Sequence, residues 1–163
     1  MDFDKARKLD KEKARMSTIR DRLIFYGKDM RRMEAEKKKI EIYRGRLSIG
    51  ASWSTSDAVQ GGGSSQEDKQ VEIIDKIDEC KRKIKIIELE NRAMTYAIEE
   101  LDEEKKFIIH HMWVVPKNVR FSYRECGRYL RMSKDTVKRR SEVALLEIFE
   151  KLYLIEGSEV DVR

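Results

Sequence analysis

From Met16 onward the apolar positions fall in one stripe: Met16, Ile19, Leu23, Tyr26, Met30, Met33, Lys37, Ile40, Arg44 and Leu47. The steps are threes and fours, which is heptad spacing and draws a single seam along a long helix over residues 1–49. Lys37 and Arg44 interrupt the seam, but their aliphatic stems can lie along an apolar surface while the charge stays in water. A second stripe runs Ile73, Ile77, Cys80, Ile84, Ile87, Asn91, Met94, Ile98 and Leu101 and predicts a second long helix over residues 68–101. Asn91 stands mid-seam, where one buried Asn can fix register or partner number at some cost in stability. Between the stripes, residues 50–67 contain GGGSSQED, which holds neither helix nor strand and reads as a flexible loop.

Charge sharpens this picture. Residues 1–49 carry 16 basic and 9 acidic groups, whereas residues 68–104 carry 7 basic and 12 acidic ones. Two helices of opposite sign joined by a loop predict an antiparallel, coiled-coil-like hairpin. One hairpin has little core of its own. The seam residues Ile73, Ile77, Ile84, Ile87, Asn91, Met94 and Ile98 are therefore expected to serve oligomerisation as well, giving a homo-oligomer, a dimer or a tetramer.

Beyond Leu101 the pattern breaks into shorter elements, and residues 102–155 read as a separate helical module followed by a tail at 156–163. DEEKKFIIHHMWVV predicts a helix with Phe107, Ile108, His111 and Met112 inward; Pro116 and Asn118 then interrupt the chain. Ser122-Tyr123-Arg124-Glu125 is a capping box, so a helix starts at Ser122 and runs to about Leu130. Ser133 can cap the next helix, which buries Val137, Ser141, Ala144, Leu145, Ile148 and Leu152 and ends near Leu154, before Gly157. Two helices joined by about three residues form a helix-turn-helix, with Gly127 small where they cross. The turn favours a left-handed residue, and Arg131 occupies that position.

The stretch Ser122 to Arg140 carries seven Lys or Arg in 19 positions. Positive charge on the outside of a helix-turn-helix makes double-stranded DNA the expected partner. The outward residues of the second helix would read base edges: Lys134, Asp135, Thr136, Lys138 and Arg139. Ser122, Tyr123, Arg124, Arg128, Arg131, Ser133 and Arg140 would face the DNA backbone.

Composition adds exclusions. Charged residues are 41% of the chain, aromatic residues 8%, and Pro116 is the single proline, which fits an all-α fold of long solvated helices. Cys80 and Cys126 lie too far apart in sequence and pattern to suggest a disulfide framework. His110 and His111 are adjacent on a helix and point about 100° apart, so they do not share a metal ion easily. The glycine run lacks the Lys of a phosphate-binding loop, and the Glu pairs read as solvated helix charges. No enzyme activity, cofactor or metal is expected. No apolar run is long enough to span a membrane, so a cytoplasmic protein is expected.

The module FSYRECGRYLRMSKDTVKRRSEVALLEIFEKL resembles the region-4-like helix-turn-helix of bacterial sigma factors. Over residues 40–155 the chain resembles phage late-gene regulators of the ArpU/RinA kind, which pair a helical amino-terminal half and a Gly/Ser-rich middle with such a module. The resemblance implies a DNA-binding transcriptional activator of phage late genes in the cytoplasm of a bacterial host, with RNA polymerase as a further contact. Two alternatives stay open: a phage small terminase subunit binding packaging sites, and a coiled-coil adaptor that binds no DNA.

Overall fold

A computed structural model describes residues 3–53 and 66–160, and among these every regular element is helical. The elements are α1 (Phe3–Trp53), α2 (Gln66–Glu90), α3 (Arg92–Glu99), α4 (Glu103–Ile109), a π-helical turn (His110–Val114), a 3-10 turn (Lys117–Val119), α5 (Tyr123–Leu130) and α6 (Lys134–Val160). The loop expected at residues 50–67 lies largely outside the described residues. Its two ends do not: α1 continues to Trp53 and α2 begins at Gln66. The chain divides into two compact units, Met30–Glu90, and Met1–Asp29 together with Asn91–Arg163.

In the unit Met30–Glu90, α1 and α2 run antiparallel. Ile40, Ile77 and Cys80 form the buried centre, and Tyr43, Leu47, Ile73 and Ile84 pack around them. The inner positions of α1 here are Glu36, Ile40, Tyr43 and Leu47, while Lys37 and Arg44 are exposed rather than laid along the seam. A straight α-helix drifts by about 20° per heptad, so a stripe begun at Met16 has rotated by nearly one residue at this point. Glu36 is largely covered, and Lys39 Nζ meets its Oε1 at 2.6 Å. That contact holds the Glu36 carboxyl below its usual range.

The seam of residues 68–101 faces inward. Ile77 and Ile87 are buried in this unit and Met94 in the other, with Ile73, Ile84 and Ile98 partly covered. The three buried side chains are packed within the chain, as the inner seam of a hairpin requires. Asn91 is not a mid-helix position. It leaves helical geometry at φ −101° and ψ 3° and separates α2 from α3. Its Nδ2 donates to Asp29 Oδ2 at 3.1 Å, so the buried amide has a partner within the chain.

In the larger unit, one core joins Ile19 and Leu23 of α1, Met94, Ala97 and Leu101 around α3, Ile108 and Ile109 of α4, Trp113 and Val114, Cys126 of α5, and α6. From α6 come Val137, Ala144, Leu145, Ile148 and Leu152, and Ser141 is buried beside them with its hydroxyl donating to the Lys138 carbonyl at 2.7 Å. Beyond the core, Arg22 pairs with Glu156 at 2.6 Å and the Arg15 guanidinium stacks over Phe149 at 5.0 Å. These contacts continue α6 past its expected end near Leu154. Gly157 sits inside the helix because nothing there demands a left-handed residue.

Two glycines mark backbone against backbone. A Cβ on Gly27 would collide with the Val114 carbonyl, and one on Gly127 would sit 2.6 Å from the Met132 carbonyl. The π-turn brings Val114 to this place: the Val115 amide reaches back five residues to the His110 carbonyl at 3.1 Å. The widened turn carries Trp113 and Val114 into the core, beyond Ile108 and the partly buried Phe107, His111 and Met112 to which regular helical spacing points.

Burial pushes the Cys126 thiol up to about 11, with Glu125 adding to the rise. In the unfolded chain such a thiol ionises near ~8.5. Between those values the unfolded state sheds its proton first, so stability is full below the lower value and declines as pH rises towards the higher one. Urea midpoints measured from pH 8 to pH 11 are expected to fall more steeply for the natural chain than for Cys126→Ala.

Candidate nucleic-acid interface

The interface is built from α5, three connecting residues and α6. The Ser122 hydroxyl accepts from the Glu125 amide at 3.3 Å, and the Glu125 carboxylate accepts from the Ser122 amide at 2.7 Å, which completes the capping box. The Ser122 amide, and after it the Ser122 hydroxyl, hold the Glu125 carboxyl below the usual carboxylate range. α5 ends at Arg131, whose φ of 54° and ψ of 44° are left-handed. The Arg131 and Met132 amides both donate to the Gly127 carbonyl, closing a Schellman-type turn. The Ser133 hydroxyl then accepts from the Thr136 amide at 3.1 Å and opens α6. Cys126, Gly127 and Val137 are buried between the helices, with Leu130 and Met132 partly covered.

With the turn fixed in this way, the outward charges follow. Arg124, Arg128, Arg131, Lys134, Lys138 and Arg139 are all exposed, and none forms a salt bridge with a described residue. Asp135 is exposed among them. Six such cations clustered on the rim of a two-helix unit, outnumbering the acids Glu125 and Asp135 beside them, present a surface of positive potential to solvent.

The other expected contact residues are differently employed. Arg140 is paired with Glu104 of α4, so its charge is answered within the fold and it drops out of the free cations. Tyr123 packs against the core rather than standing free. Ser122 and Ser133 are exposed, but their hydroxyls cap helices. Thr136 is half-buried, and its hydroxyl lies 2.8 Å from that of Ser133. For these three, the side-chain oxygen is already committed to the helix ends.

Some supports were not legible beforehand. Arg120 donates from Nε to the Val115 carbonyl at 3.1 Å and from Nη2 to the Trp113 carbonyl at 3.3 Å, which pins the loop ahead of α5. The His111 ring stacks between Phe107 at 4.0 Å and Phe121 at 4.8 Å, and Phe121 stacks on Tyr129 of α5 at 5.1 Å. No side-chain spacing marks Arg120, because its partners are carbonyls; the aromatic stack was visible only as scattered rings. No cluster of three or more metal-ligating side chains occurs among the described residues.

Arg131→Gly separates turn from charge. Glycine takes the left-handed conformation without a Cβ penalty but widens the unfolded ensemble, so the two effects nearly cancel and stability shifts by less than about 1 kcal/mol. Loss of the cation is expected to weaken duplex binding uniformly across sequences, read by mobility shift.

Searches against family models, curated proteins and solved structures return no match to this chain. Among the described residues, no helix is long and apolar enough to cross a membrane.

Proposed function

We propose that this chain is a sequence-specific DNA-binding protein of the helix-turn-helix type that regulates transcription. The observation that carries the reading is the joint one at the turn: two capped helices locked by the left-handed Arg131, with six exposed cations that form no salt bridge with a described residue. α6 then enters a major groove, where Lys134, Asp135, Lys138 and Arg139 meet base edges; Arg124, Arg128 and Arg131 meet phosphates. Lys and Arg donate to guanine acceptors, and Asp135 accepts from cytosine.

Within this reading the resemblance to phage late-gene regulators supports an activator that works in a bacterial host and contacts RNA polymerase. The test is a selection of bound fragments from random duplexes, followed by footprinting. Enrichment of one recurrent motif, protected over a repeated or inverted site, is the expected result. Retention of fragments without a common motif would remove sequence-specific regulation and leave a general polyanion binder.

A further inference from the structure

The face of α2 turned away from α1 carries an arrangement that the helix pair does not use. Val71, Ile74, Ile86 and Leu89 are exposed at 57%, 48%, 54% and 56%. At about 100° per residue, Val71 and Leu89 share one azimuth, five turns apart, and Ile74 and Ile86 lie to either side of it. Asp75, Asp78, Arg82 and Lys85, all exposed, fill the middle of the same face. The buried residues Ile77, Cys80 and Ile87 point to the other side.

These eight residues are symmetric about position 80. Val71 lies as far before it as Leu89 lies after it, and the same holds for Ile74 and Ile86, Asp75 and Lys85, and Asp78 and Arg82. In every pair an apolar residue matches an apolar one, or an acid matches a base. We propose that α2 pairs antiparallel with α2 of a second copy of this chain, about a two-fold axis level with position 80. Residues equidistant from such an axis come to one level, so each side supplies what the other lacks, as an isologous interface requires. A parallel arrangement would set Asp78 against Asp78 and Arg82 against Arg82. The occupant is a second copy because it brings this order of charges with it; an unrelated helix would have to reproduce it.

Within one chain, Lys81 Nζ meets Asp78 Oδ1 at 3.0 Å. An exposed pair of this kind contributes little and yields readily to a new partner. The paired stretch is about 27 Å long, which puts the interface at the small end of specific contacts and the dimer in roughly the micromolar range. The inference is independent of DNA binding, since a monomer could carry the α6 surface equally well.

Sedimentation equilibrium on the full chain at up to about 100 µM tests it. The natural chain is expected to reach twice its 19.4 kDa mass. Asp78→Arg alone, Arg82→Asp alone and Leu89→Glu are each expected to hold it at one chain with unchanged helical circular dichroism. The double variant Asp78→Arg/Arg82→Asp restores the dimer, because both pairs are then complementary again. Ile42→Glu, at an exposed position of α1, leaves the mass as it was. A monomer throughout, a dimer that survives Leu89→Glu, a dimer lost with Ile42→Glu, or failure of the double variant to recover would each overturn the proposal.

Discussion

Gly27→Ala and Gly127→Ala are each expected to destabilise the larger unit by roughly 2–3 kcal/mol, although alanine is the better helix former by about 1 kcal/mol. The sign is set by what the new methyl meets. At Gly27 it is the Val114 carbonyl, and at Gly127 the Met132 carbonyl at 2.6 Å. Neither is the free end of a side chain. Val114 is fixed by the π-turn, and Met132 by its amide bonded to the Gly127 carbonyl at 2.9 Å. Relief therefore needs the backbone to move. Gly157 supplies the control: it lies in α6 with nothing within 4 Å of its Cβ direction. Gly157→Ala should raise stability by up to about 1 kcal/mol from helix propensity alone. Urea midpoints read all three. Destabilisation by Gly157→Ala equal to that by Gly127→Ala would show that close packing at the turn is not the cause.

The second large effect concerns binding. Lys134→Ala/Lys138→Ala/Arg139→Ala removes three exposed cations from the first turns of α6. A base-reading bidentate contact is worth about 1–3 kcal/mol, so losing two or three such side chains weakens specific binding by roughly 100-fold or more. Stability should stay within about 0.5 kcal/mol of the natural chain, because none of the three is in the core or in a salt bridge. Arg140→Ala makes the contrast. Its partner is Glu104, so its loss is expected to act on the contact between α4 and α6 rather than on the duplex. Equal binding losses from the triple variant and from Arg140→Ala would contradict the assignment of the α6 surface.

Much of the fold was legible because one pattern decided it. Val137, Ser141, Ala144, Leu145, Ile148 and Leu152 were picked out by helical spacing alone, and all lie in the core. The capping box at Ser122 and the left-handed Arg131 were readable because local chemistry fixes them. What the pattern could not supply was the identity of the surface each stripe meets. Ile77, Ile87 and Met94 read as one continuous seam, yet Ile77 and Ile87 are buried in one unit and Met94 in the other. Asn91 read as a register device and instead ends a helix. Arg140 looked like its neighbours Lys138 and Arg139, because only the placement of α4 shows that Glu104 answers it. The π-turn was likewise invisible, since a single widened turn leaves no period of its own. The outward face of α2 lay in plain view, but its symmetry acquires meaning only once the opposite face is known to be occupied.

We propose that the cationic face of α6 reads duplex DNA. The most direct test is the affinity of the purified chain for its selected duplex, measured across a salt series against a scrambled duplex and against heparin. The selected duplex is expected to bind about 10³-fold or more tighter than the scrambled one, with log affinity falling linearly in log salt by about 0.9 for each phosphate contacted. Equal affinity for the selected duplex, the scrambled duplex and heparin at moderate salt would contradict it.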